Sequence, residues 1–358
     1  MDMDQEKAKV LFKEGGFLLI EGMPKGTEFG IDWKTWTTGE NFEGIKMIPP
    51  GVHFVYYNSV CKQGGGVSPK TGFFCNFVKQ EIVAYKWDLN DEILIPKDLG
   101  VEEMSNIKLN IQNLDRNLAA YPYDTYRHWV SMSSSITPNL ICKLSPLSKF
   151  ITSGDSSLLS VSSDNPNEKF GKTDANGLPV MKSDPNLQIR FTKVPSQWYP
   201  NNCSSWEKTI HSIDSSYVLG KIIEENYQTS FDILGELQYA FICFVLGQVM
   251  DGFEHWRSLV KVLCKCGNDM NKHKELYKKL IAVLYHQINE ISVDFFVDIV
   301  SSNNFLVANL TTLFQSIAEC EDAEMLDISS KFRKHLKKKY KWTFYQEPED
   351  CLPVVVET

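Results

Sequence analysis

No run in this 358-residue chain is apolar for long enough to suggest a membrane span. Leu237–Met250 carries no charge, but it falls short of the ~20 apolar residues that a bilayer requires. A secretory signal is not expected either, because the acidic and then mixed start MDMDQEKAKVLFKEG has no basic region leading into an apolar stretch. The nine cysteines form no spaced framework, which fits a reducing compartment. Asn202-Cys203-Ser204 and Asn309-Leu310-Thr311 match the glycosylation acceptor pattern and are expected to be silent without secretion. A basic excess is also missing. The formal charge of -8 argues against a general nucleic-acid binder, whose affinity rests on neutralising phosphates.

Catalytic frames are equally scarce. H-E-x-x-H, G-x-S-x-G and framed carboxylate pairs do not occur. Gly171-Lys172-Thr173 imitates the end of a phosphate-binding loop, but Pro166 stands where the first glycine is required. Gly64-Gly65-Gly66 lies between predicted strands and reads as a hairpin loop. Cys264, Cys266 and His273 lack the C-x₂₋₄-C spacing of a zinc site, so core or helix-end roles are the simpler reading. A triad assembled only in space is not nominated by any motif. The expectation is a non-enzymatic protein with no catalytic residue, cofactor or metal.

What is present is ample material for two domains and a real core. Gln5–Lys13 reads as a short helix. Strands are predicted over Phe17–Glu21, Thr27–Ile31, Gly44–Ile48, Val52–Tyr57, Gly72–Val78, Ile82–Trp87 and Glu92–Ile95, punctuated by Gly22–Gly26, Pro49-Pro50-Gly51 and Asp88–Asp91. Short strands at close spacing, without long helical patterns between them, imply an antiparallel sandwich or barrel. Helical periodicity follows over Val101–Ala120 and Tyr123–Met132. Ser153–Asp184, rich in Ser, Asp, Asn, Gly and Pro, reads as a flexible linker or long loop.

Leu187–Val194 reads as a last strand, after which helices follow in succession. They are predicted over Asp214–Glu225, Ser230–Met250, Gly252–Cys266, Lys272–Asn289, Val293–Val300, Asn304–Ala318 and Glu324–Lys339. Ile233–Cys266 is the expected centre: a helix with apolar residues on most of its circumference, a turn in which Asp251 and Glu254 form a capping box, and a second helix striped by Trp256, Leu259, Val260 and Leu263. Short turns imply a bundle or a superhelix, and no internal repeat separates the two. The fold class is therefore α+β and multidomain: a sandwich-like β-rich domain with edge helices at 1–152, a linker at 153–184, an all-α domain at 185–342 and a tail at 343–358.

Three features point to binding. Lys331, Arg333, Lys334, Lys337, Lys338, Lys339 and Lys341 crowd the last helix, where they can meet RNA phosphates or an acidic protein face, or simply solvate the helix. His255 and Trp256 read as a surface hot spot or as core, and the helical stripe favours core. The tail Cys351-Leu352-Pro353-Val354-Val355-Val356 has strand propensity and no evident partner in its own helical domain, so it is either disordered or a donor for β-augmentation.

Three stretches carry a family resemblance: GGFLLIEGMPKGTEFGIDWKTWTTGENFEGIKMIPPGVHFVYYNS, ELQYAFICFVLGQVMDGFEHWRSLVKVLC and the tail DCLPVVVE. Together they resemble the AAR-two family, splicing factors that accompany immature U5 snRNP. Gly22, Pro24, Gly26, Glu28, Gly30 and Asp32 match the family's N-terminal signature, where they read as turn and strand scaffolding. The resemblance implies a C-terminal domain like the VHS superhelical fold. It also implies a non-enzymatic assembly chaperone that binds the large spliceosomal scaffold protein at its RNase H-like and Jab/MPN-like domains and delays entry of the Brr-two helicase. The tail would then add a strand between the two partner domains through Leu352, Val354, Val355 and Val356, with Pro353 removing one donor. Further expectations are a monomer when free, residence in cytoplasm and nucleus within spliceosomal precursor particles, and release by phosphorylation, for which Ser258, Ser329, Ser330 and the linker serines are candidates.

Overall fold

The computed structural model describes residues 5–58, 69–153, 184–292 and 305–344. Two compact units are interleaved along the chain. One comprises Met1–Phe191 with Tyr239–Phe253, the other Thr192–Gln238 with Glu254–Thr358.

The first unit is a two-sheet sandwich. Ten strands are described: β1 (Gly16–Glu21), β2 (Glu28–Ile31), β3 (Lys34–Thr37), β4 (Gly44–Ile48), β5 (Gly51–Asn58), β6 (Thr71–Phe77), β7 (Ile82–Asp88), β8 (Ile93–Pro96), β9 (Leu118–Ala120) and β10 (Ile151–Thr152). One sheet runs β8-β7-β1-β4-β9 and the other β10-β6-β5-β2-β3. Leu18, Ile20, Ile45 and Trp87 of the first meet Phe29, Ile31, Val55, Tyr57 and Phe73 of the second in one buried cluster. The expected sandwich is thus present, with a correction to strand direction. β1 pairs parallel with β7 and β4 parallel with β9, so the first sheet is mixed.

The reason lies in the sequence of β1. Phe17-Leu18-Leu19-Ile20 is apolar on both faces, as suits a strand covered on both sides. Leu18 and Ile20 enter the sandwich core. Phe17 and Leu19 face the other way, into a cluster with Phe12 of α1 (Gln5–Glu14) and Met104, Ile107 and Ile111 of α2 (Val101–Leu114). A 3₁₀ turn at Asp115–Asn117 then leads into β9. Helices α3 (Tyr126–Ser133) and α4 (Pro138–Leu144) follow, the latter started by Thr137, whose hydroxyl accepts from Leu140 N.

The outer face of the second sheet explains the interleaving. Phe54 packs on Phe74 with ring centroids 4.8 Å apart, and Phe74 stacks on Tyr239 at 4.3 Å. The Tyr239 hydroxyl lies 3.2 Å from Ser145 Oγ. Tyr239 belongs to α7 (Asp232–Val245), so the C-terminal half of that helix counts with the sandwich. The expectation that Ile233–Cys266 is wholly the axis of the helical domain is corrected accordingly.

Helix α7 also stops earlier than the expected Met250. Gly247 N donates to Ile242 O at 3.2 Å, and Gln248 adopts a left-handed φ of 57°, so the chain turns and restarts as α8 (Met250–Cys264). Asp251, expected as the N-cap, sits instead in the first turn, where a carboxylate is favoured by the helix dipole. Gly252 permits the close approach. A Cβ there would lie 2.7 Å from Ala240 O and 3.0 Å from Phe244 N.

The second unit is helical: α5 (Ser205–Ile213), α6 (Ser216–Asn226), the first half of α7, most of α8, α9 (Lys274–Glu290), α10 (Phe305–Ala318) and α11 (Ala323–Tyr340). Its core includes Trp256, Leu259, Val260, Leu280, Leu284, Leu310 and Leu313. Trp256 is fully buried and its indole N–H donates to Gln287 Oε1 at 2.8 Å, so it serves the core. Leu187–Val194 is not a strand. Arg190 N donates to Leu144 O and Thr192 N to a Glu236 carboxylate, partners that belong to helices. The helix expected over Val293–Val300, the glycine run 64–66 and the span 154–183 lie outside the described residues.

Candidate interaction surface

Helix α11 starts at Asp322, whose carboxylate accepts from Met325 N at 2.9 Å, and ends at Lys341, which caps it in a left-handed conformation with φ 59°. Met325, Ser329, Phe332, Leu336 and Tyr340 form its buried stripe, stepping by three or four residues. The sequence places most of its basic residues off that stripe, and the structure divides them by use.

Arg333 and Lys339 flank the stripe and are spent on local structure. Arg333 donates to Phe344 O at 2.6 Å, and Lys339 donates to Asn289 O at 3.0 Å and to its Oδ1 at 2.9 Å. Lys331 pairs with Asp327 at 2.7 Å, both exposed. Lys334, Lys337, Lys338 and Lys341 are exposed, and no described residue forms an ion pair with them. At 3.6 residues per turn, positions 331, 334, 338 and 341 share one face, with 337 beside it. His335, on the same helix, has its pKa lowered by burial first and then by Lys339 and Lys338, which disfavours its charged form. The arrangement offers a strip of point charges suited to phosphates or carboxylates. Leu352, Val354, Val355 and Val356 of the tail lie outside the described residues.

A second surface went unnoticed in the sequence. Helix α5 buries none of its residues fully, and Trp206, Ile210 and Ile213 are exposed at 57%, 38% and 66%. They recur at i, i+4 and i+7, one apolar stripe turned to solvent. The helix holds because Ser204 Oγ accepts from Glu207 N at 3.2 Å while Glu207 Oε2 accepts from Ser204 N at 2.7 Å, a reciprocal capping box. That S-x-x-E spacing was the available signal. Among the phosphorylation candidates, Ser330 is exposed, Ser258 is half-buried with its hydroxyl on Glu254 O, and Ser329 is buried.

Two buried carboxylates take their hydrogen bonds from within the fold. Glu236 Oε1 accepts from Thr192 N and from His255 Nε2, each at 2.7 Å, while Oε2 accepts from Thr192 Oγ1 at 2.8 Å and Tyr227 Oη at 2.7 Å. Burial pushes the Glu236 pKa up, but the His255 contact and the other donors outweigh it, and the net direction is down. In the first unit, Asp32 accepts from Phe54 N at 3.0 Å and Tyr121 Oη at 2.5 Å, and lies 2.7 Å from His53 Nδ1. Both carboxylates have their donors supplied from within, which is the pattern of fold-holding networks. Cys264 and Cys266 are fully buried. Desolvation pushes the Cys264 thiol up to about 12, and Cys266 donates its S–H to Val262 O, so both behave as core residues. Among the described residues no cluster of His, Cys, Asp and Glu could hold a metal, and no helix is long and apolar enough to cross a membrane.

The described residues thus form a mixed-sheet sandwich unit and a helical unit, with internally bonded buried carboxylates, an exposed apolar stripe on α5 and an exposed lysine strip on α11. The chain belongs to the AAR2 family: the family models "AAR2 N-terminal domain" and "AAR2 C-terminal repeat region" match residues 14–146 and 191–345. Among curated proteins it is 40% identical over 373 aligned positions to "Protein AAR2 homolog" of Homo sapiens, covering 100% of this chain and 97% of that one. The homolog of Macaca fascicularis is 41% identical over the same shares, and that of Caenorhabditis elegans is 35% identical over 93% of this chain and 96% of its own. None of these descriptions names a catalytic activity. The family is one of splicing-related assembly factors, as the resemblance implied.

Proposed function

We propose that this protein is a non-enzymatic assembly chaperone of the U5 snRNP. It binds the large scaffold protein of the spliceosome at the RNase H-like and Jab/MPN-like domains and holds back the helicase until assembly is complete. The observation that carries this reading is family membership across both halves of the chain. The tail contributes by β-augmentation: main-chain hydrogen bonds give affinity, and Leu352, Val354, Val355 and Val356 set the register. The protein works as a monomer when free, in cytoplasm and nucleus, within precursor particles. Phosphorylation releases it through charge and desolvation at the interface, and Ser330 is the most accessible described candidate.

Pull-down with the two scaffold domains tests this reading, comparing the full chain with one ending at Glu349. The full chain captures both domains and the shortened chain captures them weakly. Equal capture would sink the tail mechanism, and no capture by the full chain would sink the partner assignment.

The exposed strip of Lys334, Lys337, Lys338 and Lys341 supports a second reading, an RNA-binding adaptor acting through the last helix. Titration with single-stranded and structured RNA at several salt concentrations separates the two, since phosphate contacts make affinity fall steeply with salt. Salt-independent or absent binding removes it.

A further inference from the structure

Helices α1 and α2 both pack on the outer face of the mixed sheet, yet they leave a cleft of about 810 Å³ between them. Its floor is apolar: Phe17 of β1, Ile82 of β7 and Met47, with Phe12 of α1 and Ile111 of α2 as walls. Lys9 and Lys13 of α1, Lys46 of β4 and Lys108 of α2 also line it, and among the described residues Asp115 is the one carboxylate that does. The described lining is therefore strongly basic, four lysines against one aspartate, on a chain whose total is -8. Lys46, with a side chain only 14% exposed, is held by Asp115 at 2.6 Å. Lys9 reaches Glu6 at 2.9 Å, but both side chains are more than 70% exposed, and such a pair is readily exchanged for a better partner. Glu14, nearby on α1, is engaged outward by Lys79 at 3.4 Å. Lys13 and Lys108 are exposed on opposite sides of the cleft.

We propose that this cleft binds an acidic peptide segment carrying an apolar anchor residue. The anchor side chain occupies the floor between Phe12 and Ile111, and the flanking carboxylates meet Lys13 and Lys108, with Lys9 joining from its exchangeable pair. Charge complementarity selects this occupant. The lining lysines come from three elements, α1, β4 and α2, so several separated carboxylates are needed to meet them, whereas the headgroup of one anionic lipid meets only a local few. An apolar floor bordered by polar groups is the usual anatomy of an anchoring pocket. The site lies wholly within the sandwich unit and is independent of the tail and of the basic last helix.

The test uses the full chain and a fluorescein-labelled peptide EDDFEDLE, read by fluorescence anisotropy. Saturable binding is expected that weakens as ionic strength is raised above about 0.15 M, where the Debye length is already only about 8 Å. An amide analogue, QNNFQNLQ, and the double variant K13E/K108E should each bind at least about tenfold more weakly, which is about 1.4 kcal/mol. Circular dichroism should show the variant, altered only at exposed side chains, to be folded like the parent. Equal binding of the amide analogue, unchanged affinity in the double variant, or no saturable binding of EDDFEDLE overturns the proposal. Binding to phosphatidylserine vesicles in place of the peptide overturns it in favour of a membrane surface.

Discussion

Glu236 on α7 and His255 on α8 lie 2.7 Å apart, with the carboxylate fully buried and the imidazole 10% exposed. The same carboxylate holds Thr192 and Tyr227, so one side chain ties α8, the residue that follows α6 and the segment at Thr192 to α7. Removing His255 takes away one of four donors to a buried carboxylate and leaves the other three in place. His255→Ala is expected to lower unfolding stability by about 1.5–3 kcal/mol, the cost of one hydrogen bond to a buried carboxylate, measured by urea denaturation at neutral pH.

The same site gives a pH dependence with a defined sign. The folded-state pKa of Glu236 is lowered, so the folded carboxyl binds its proton less readily than the unfolded one. Its contribution is present above the ordinary glutamate value of about 4.3 and is lost as pH falls through the lower folded value. Melting temperature should drop more steeply with acid in the parent than in Glu236→Gln, whose amide does not titrate in this range. Parallel profiles would show that this carboxylate does not drive the acid transition.

Asp32 anchors the sandwich in a comparable way. The Pro49 carbonyl can only accept, so His53 Nε2, 2.8 Å away, carries a hydrogen, and Nδ1 faces Asp32. Tyr121 supplies the remaining donor, and its own pKa is raised by burial first and by Asp32 second. Tyr121→Phe keeps the ring packing and deletes one hydrogen bond to a buried carboxylate. A loss of about 1.5–3 kcal/mol by chemical denaturation is expected.

Burial also orders the thiols. Cys142 is exposed, whereas Cys243, Cys264 and Cys266 are buried with pKa values pushed up by desolvation. Thiolate is the reactive species, so iodoacetamide at neutral pH should label Cys142 in the native protein and reach those three only in denaturant. Peptide mass spectrometry reads the order, and early labelling of Cys264 would contradict the buried core around it.

Substitutions in the most family-like stretch should act through folding. Phe241 is fully buried in the half of α7 that packs with the sandwich, and Phe241→Asp places an unpaired charge there. Lost circular dichroism and no cooperative melt are expected. Gly252→Ala should cost about 1–3 kcal/mol, because the added methyl meets Ala240 O and Phe244 N. Charge reversal at Lys334, Lys337 and Lys338 should change stability by less than about 0.5 kcal/mol for each residue.

Local pattern carried much of the architecture. Alternating or continuous apolar runs marked seven of the strands, and residues stepping by three and four marked α6 through α11. The elements that escaped are short or lack a buried stripe. Lys34–Thr37 is a four-residue strand whose residues are all exposed or half-buried, and α5 presents its apolar side to solvent, so neither shows the usual contrast between faces. Among the basic residues, chain position alone grouped all seven. Only the packing of α11 on Asn289 and Phe344 separated Lys339 and Arg333 from the exposed remainder.

By itself, then, the sequence determined the α+β class, the buried stripes, the nonbasic overall charge and the family. These depend on composition and on periods of two and 3.6 residues, which neighbours in the chain impose on one another. Tertiary structure decided what depends on partners distant in sequence: the parallel pairing of β1 with β7, the return of Tyr239–Phe253 to the sandwich through Phe74, and the lysine-rimmed cleft between α1 and α2. Each juxtaposes residues far apart in the chain, as Phe17 with Ile82 and Phe74 with Tyr239. No local period records which surfaces will meet when hydrophobic burial closes the chain.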